Sequence, residues 1–287
     1  MPVRTLDHFL ILVEPLEPAV ATYAQLGFHV RPIAKHEAIG SANSVIHLKN
    51  TYLELFFLGD APPAINAQYR PRLAAGQGLA NVSLQSNSLE ADTERLKAAG
   101  LTTYPILSAR RKIVRPDGTP DYTASSSFYF WREEHRYMSL FHSVHEKPET
   151  IFIEAYTHHA NTVCDVTRLV YMSDDPAKDL AYFTTVYEGA PTSTGPDGFS
   201  FVGPRGEVTE VTTIARATER YGKHLPSAGL GGLGGLPIAL HYSTASIDAC
   251  AAHLKSHNVG HSAFGQGLIV AADEACGVST VFEPINC

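Results

Sequence analysis

The sequence predicts an α+β protein, four βαβββ modules paired into two mixed-sheet domains. Two observations carry this. Short runs of β-branched and aromatic residues alternate with segments of helical apolar spacing, and that plan recurs along the chain. One such unit leaves a whole sheet face in water, so units pair to bury a core.

In the opening unit, Phe9 to Val13 is a continuous apolar run and Thr51 to Phe57 is rich in β-branched and aromatic residues. Both read as buried strands. Between them Leu16, Val20, Tyr23, Ala24 and Gly27 have helical spacing, with Pro15 and Pro18 where a helix begins and Gly27 where it ends. The local order is strand, helix, strand, strand, strand.

Residues 79–100, LANVSLQSNSLEADTERLKAAG, repeat the strand-then-helix plan at a shift of 73, which carries Leu16 onto Leu89. A shift of 158 carries the same segment onto PIALHYSTASIDACAAHLKSHN and aligns Leu89 with Ile247, Glu90 with Asp248, Ala91 with Ala249, Leu96 with Leu254 and Lys97 with Lys255. A fourth unit begins near Val166, with a β-branched strand, an acidic turn and an amphipathic helix. The expected domains are therefore 1–160, with modules 1–76 and 77–160, and 161–287, with modules 161–234 and 235–287. The boundary is placed in the polar connection His158 to Val163.

Two stretches stand outside the plan. Residues 105–127, with Pro-Asp-Gly at 116–118, read as a long loop or a strand pair with a turn. Gly229 to Pro237, GLGGLGGLP, is read as a flexible linker and not a phosphate loop, because no Lys-Ser/Thr follows and a strand comes next.

The 287 residues are 44% hydrophobic, enough for a packed core, and carry a formal charge of -7. The basic run Arg110, Arg111, Lys112 is short, so nucleic acid is excluded as the expected partner and a small molecule takes its place. Cys164, Cys250, Cys276 and Cys287 are widely spaced without a CxxC pair and read as reduced thiols. Asp7, His8 and Glu14 interrupt the apolar N-terminal stretch, so neither an export signal nor a membrane span is expected. The expected compartment is the cytoplasm.

The chemistry starts from His8 in the opening strand and Glu54 inside the closing one. A carboxylate within an apolar strand is costly unless paired or bound to a metal, so this pair is read as functional. Imidazole and carboxylate together suit Zn, Mn, Fe or Ni. Arg110, Arg111 and Lys112 read as a clamp for a substrate carboxylate or as a solvated loop. Tyr122, Phe128, Phe130 and Trp131 read as a cleft wall or as core.

The segments LDHFLILV at 6–13, YAQLGFHV at 23–30, TYLELFF at 51–57 and GLANVSLQ at 78–85 resemble the vicinal oxygen chelate superfamily, in particular its glyoxalase-like two-domain members. RPDG at 115–118 and PETIFIEAYTHHAN at 148–161 add to the likeness, which is strong over residues 4–160 and weaker beyond. The resemblance implies sheets that curl around a cleft and a divalent metal held by the first and last strand of each module. His8 and Glu54 match those positions in module one. Module two departs: Asn81 stands where a histidine would, and the closing strand around Met138 to His145 has no carboxylate, leaving His142 and His145 as nitrogen donors. These two are three apart and cannot both face one side of a regular strand; His142 is ranked first. In the C-terminal half the ligand positions fall on Thr167 or Arg168 and on Ala239, which is read as a degenerate domain, with His241 and Glu283 as a lesser second site.

The expected function is a metal-dependent enzyme that chelates adjacent oxygens of a small organic substrate, of lyase or isomerase type through a stabilised enolate. The alternatives are an extradiol-type dioxygenase and a metal-free binder of small molecules. Glu54 is the expected proton carrier; Asn81, Arg110, Arg111, Tyr122 and Phe130 are expected on the substrate; His8, Glu54, His142 and His145 are expected on the metal. A homodimer is the assembly considered.

Overall fold

The computed structural model describes residues 4–36, 40–59, 69–132, 134–135, 139–227, 229 and 234–285. Its elements run in the order β1 (Leu6–Leu12), α1 (Leu16–Gln25), β2 (Ala34–His36), β3 (Ser41–His47), β4 (Tyr52–Phe57), α2 (Arg70–Ala74), β5 (Gly78–Gln85), α3 (Leu89–Ala98), β6 (Thr102–Thr103), β7 (Leu107–Val114), β8 (Pro120–Trp131) and β9 (Leu140–His145). The second half continues with β10 (Val163–Ser173), α4 (Pro176–Tyr187), β11 (Ser193–Gly195), β12 (Gly198–Val202), β13 (Val208–Thr213), α5 (Ile214–Tyr221), β14 (Leu236–Thr244), α6 (Ile247–Ser256), β15 (Ser262–Phe264), β16 (Gly267–Val270) and β17 (Ser279–Pro284).

The strands form two mixed sheets. The first has the order β2-β3-β4-β1-β5-β9-β8-β6, with β7 on β8; the second repeats it as β11-β12-β13-β10-β14-β17-β16-β15. In each, the central pair of strands is antiparallel and each member has a parallel neighbour on its outer side. The fold is therefore the α+β arrangement of paired βαβββ modules.

The local determinants repeat as well. Ser88 accepts a hydrogen bond from the Ala91 amide at the start of α3, and Ser246, at the same repeat position, does so from Ala249 at the start of α6. Gly27 ends the first helix at φ +92°, where a Cβ would also lie 2.8 Å from that of Asn161.

Helices α1, α3, α4 and α6 send their apolar residues into one continuous core. It joins Phe9, Ile11, Tyr23, Leu55 and Leu96 of the first half to Phe183, Leu254 and Phe282 of the second. Burying each of these large side chains stabilises by about 1.5–3 kcal/mol. The opposite sheet faces are not part of that core. Polar contacts also cross between the halves: the Leu6 amide donates to Glu207 Oε1 at 3.2 Å, Arg205 donates to the Leu6 carbonyl, and Asn50 and Thr51 donate to Asp165 at 2.6 and 2.7 Å. Among the described residues no helix is long and apolar enough to cross a membrane.

Of the two readings of residues 105–127, the strand pair holds: β7 and β8 turn through Gly118 at φ +85°. Two boundaries differ from the sequence reading. The closing strand of module two is Leu140–His145, and Met138 lies outside the described residues. Leu236 and Pro237 already belong to β14, whereas 230–233 of the glycine-rich stretch lie outside the described residues.

Candidate functional site

The face of the first sheet that turns away from α1 and α3 carries a cluster of polar groups, and a bulge in β1 creates it. Leu6 and Phe9 both enter the helix-side core, so the two residues between them, Asp7 and His8, come to the other face together. A regular strand would have placed them on opposite sides.

Asp7 is fully buried and accepts from four side chains: His8 Nδ1 at 2.6 Å, His145 Nε2 at 2.9 Å, Ser143 Oγ at 3.1 Å and Gln85 Nε2 at 3.1 Å. Burial works to raise its carboxyl. The hydrogen bonds from His145 and His8 outweigh that and hold the group well below the usual carboxylate range. With Nδ1 of His8 engaged by Asp7, its Nε2 is the nitrogen left for chemistry. The His8 ring stacks on Tyr52, with centroids 4.3 Å apart, and meets Phe141 edge-on. His145 keeps Nδ1 buried without a partner.

Glu54 shares this face, diagonal to His8, since β4 sets Tyr52 beside His8 and Glu54 beside Leu10. Its Oε1 accepts from Asn43 Nδ2, and Asn43 Oδ1 accepts from Arg111 at 3.4 Å, so the β7–β8 hairpin reaches back to the site through Arg111. Asn81, fully buried beside Leu10, donates to the Tyr69 hydroxyl at 3.3 Å and leaves Oδ1 unpartnered. Burial pushes the Tyr129 phenol up to about 12 and those of Tyr52 and Tyr69 well above 10, so all three stay protonated.

The structure separates the residues that the sequence had grouped. His8 and His145 meet at Asp7, which the sequence reading did not single out, and one ligand atom from each of the three lies within 4.8 Å of the others. Glu54 is not in that group. His142 must be corrected as a ligand candidate: it faces the helices, fully buried, with Nδ1 3.0 Å from Asp92 and its ring against Phe128 and Phe130. Burial pushes its imidazole down to about 4. Phe130 must be corrected for the same reason, since it lies in the helix-side core while its neighbour Tyr129 takes the site face. Arg110 and Tyr122 lie together on the hairpin, with the guanidinium 5.3 Å from the ring centroid and Lys147 4.1 Å from it. Of the basic run, Arg111 makes the link to Asn43.

A signal for Asp7 was present in the order Leu-Asp-His-Phe, where two polar residues between apolar ones break strict alternation. A signal for Tyr129 was present in Phe-Tyr-Phe at 128–130, whose outer members claim the core.

Two imidazoles and a carboxylate at this spacing are a donor set that a divalent transition metal accepts. His145 Nδ1 and Asn81 Oδ1 are buried without a protein hydrogen-bond partner.

The second sheet treats the same positions differently. Arg168 takes the place of His8 and Glu210 that of Glu54, and the two form an ion pair at 2.7 Å. His241 and Glu283 are bonded at 2.8 Å, and the other His241 nitrogen lies 2.8 Å from the Tyr221 hydroxyl. With both ring nitrogens engaged and the ring fully buried, this pair is closed to a metal.

Residues 6–185 match the family model described as "Glyoxalase-like domain". No curated protein matches. Among solved structures, a hypothetical protein from Staphylococcus aureus superposes with a TM-score of 0.68 at 10% identity, covering 98% of this chain and 99% of its own. A triple mutant of 4-hydroxymandelate synthase from Streptomyces coelicolor gives 0.57 at 11%, covering 99% and 93%. A xylose isomerase-like TIM barrel/4-hydroxyphenylpyruvate dioxygenase fusion protein gives 0.54 at 11%, covering 99% of this chain and 49% of the fusion. At these identities the likeness is one of fold alone.

Proposed function

Because the chain belongs to the glyoxalase-like domain family, we propose that the outward face of its first sheet is the active site of a metal-dependent lyase or isomerase acting on a small substrate with two adjacent oxygens. The observation that carries this reading is the meeting of Asp7, His8 and His145 within 4.8 Å, beside Glu54 on the same face. His8, His145 and Asp7 would hold the metal. A divalent ion bound there would supply Lewis-acid polarisation of a substrate carbonyl.

The rest is the work of the chain. Asp7 fixes the His8 ring so that Nε2 faces the site. Glu54 takes and returns a proton at the carbon next to the polarised carbonyl, and Asn43, itself tied to Arg111, orients its carboxylate. Asn81 Oδ1 accepts from a substrate hydroxyl, which relieves an unpartnered buried atom. Tyr52 and Phe141, packed on the His8 ring, keep water from that side.

The bonds already shared by Asp7, His8 and His145 favour a second reading, a metal-free binder of small molecules. Titration of metal-stripped protein with Zn, Mn, Fe(II) and Ni separates the two. One ion per chain is expected, with affinity lost on His8→Ala and His145→Ala and kept on His142→Gln. If the wild type binds no ion, or His8→Ala binds as well as wild type, the enzyme reading is wrong and the second takes its place.

A further inference from the structure

The second sheet has its own cleft at the place where the first sheet has its site. A groove of about 460 Å³ is lined by Arg168 from β10, Glu210 from β13, Arg216 and Arg220 from α5, and Thr194 and Ser200 from the β11–β12 hairpin. That volume suits a small molecule. Its charge is unbalanced: three guanidiniums face Glu210 and Asp197 within the lining.

The bonding leaves donors to spare. Arg168 and Arg220 both donate through Nη1 to the same Glu210 oxygen, at 2.7 and 3.0 Å. Guanidinium has five N–H donors, and Nε and Nη2 of both arginines make no hydrogen bond to another described residue. Arg216 is half exposed and turned to Glu219 on its own helix. Hydroxyls stand opposite, with Ser193 and Ser200 bonded to each other at 2.7 Å. Arginine forks with spare donors, in a groove with neutral hydroxyl partners, match the planar geometry of an oxyanion.

We propose that this groove binds a small organic carboxylate, held by the free edges of Arg168 and Arg220 and by the hairpin hydroxyls, against the like charge of Glu210, which occupies only their Nη1 atoms. The register makes the site a counterpart of the first. Where one sheet has His8 and Glu54, the other has Arg168 and Glu210, so a position that can suit a cation in one half suits an anion in the other. The proposal does not depend on the metal reading, since it uses no residue of the first sheet.

Calorimetric titration of the full chain with succinate and with inorganic phosphate, at constant ionic strength and with chloride as control, tests it. Saturable binding of succinate is expected, at least tenfold weaker in Arg168→Gln and in Arg220→Gln. In Glu210→Gln it should be several-fold tighter, because the competing carboxylate is gone. Arg216→Gln, at an exposed position that leaves the ion pair intact, keeps the test alive should the buried-side variants not fold; a two- to fivefold loss is expected there. The proposal is overturned if succinate binds no better than chloride, if phosphate binds and succinate does not, if the folded arginine variants titrate as the wild type does, or if Glu210→Gln weakens binding.

Discussion

At the bulge of β1 the first sheet presents Asp7 and His8; at the matching bulge of β10 the second presents Thr167 and Arg168. Across the sheet, Ser143 on β9 donates to Asp7, whereas on β17 the partner is Glu283 and the hydroxyl is on Thr167, at 3.5 Å. Carboxylate and hydroxyl have changed places. Ser83 in the first sheet corresponds to His241 in the second, which Tyr221 from α5 then seals. Helix α5 lies over the second sheet and helps bury Val170, Met172 and Ile238. The comparison teaches that the scaffold fixes which positions meet, while one residue at each decides which groups bond there.

The largest effect is expected where the two sheets differ most in burial. Asp7→Ala removes the shared acceptor of two buried imidazoles and should cost about 3–5 kcal/mol in urea unfolding. Glu283→Ala, whose side chain is 38% exposed but whose loss leaves Nδ1 of the buried His241 without a partner, should cost about 1–3 kcal/mol. Equal losses would break the comparison.

Acid comes next. Burial pushes His47, His142 and His159 down to about 4 from an ordinary 6.5, so each is held neutral by folding. Their contribution is fully present above about pH 6.5 and is lost as pH falls towards 4, because the unfolded chain takes up the protons first. Each adds a slope of up to about 1.4 kcal/mol per pH unit in that window. His142→Gln should flatten the measured slope by about one proton, and an unchanged slope would show that His142 is already accessible.

Within the second sheet, Tyr221→Phe leaves His241 Nε2 unpartnered in the core and should cost about 1–3 kcal/mol by the same unfolding measurement. A smaller effect, about 1 kcal/mol each, is expected for Ser88→Ala and Ser246→Ala. Near-equal losses there would confirm that the repeat is symmetric in its local folding signals even where its chemistry is not.

Those same signals explain what the sequence made legible. The shift of 158 that joins Leu89 to Ile247 also joins the two capping serines, and both helices form as the repeat implies. His8 was readable because it interrupts an apolar strand. His145 and His142 were not separable, because three-residue spacing settles only that they face opposite ways, and the direction depends on pairing with β5 and β8. Asp7 was hidden by the bulge, a property of two strands together that alternation along one strand does not reveal. Arg168 was one of two residues that the repeat set at the His8 position, and the strand register decides for it; Glu210 was hidden, because only the pairing of β10 with β13 brings it to the position of Glu54.

The strand that carries Asp7 and His8 begins at Leu6, and both backbone groups of Leu6 are held from the other half, by Glu207 and Arg205. Glu207 is buried and also accepts from the Arg205 amide at 2.9 Å, so the anchor is itself braced. The position of the His8 ring is thus referenced to the C-terminal half, as an instrument is to its mount. The half whose own histidine is sealed still sets the alignment of the half that carries His8.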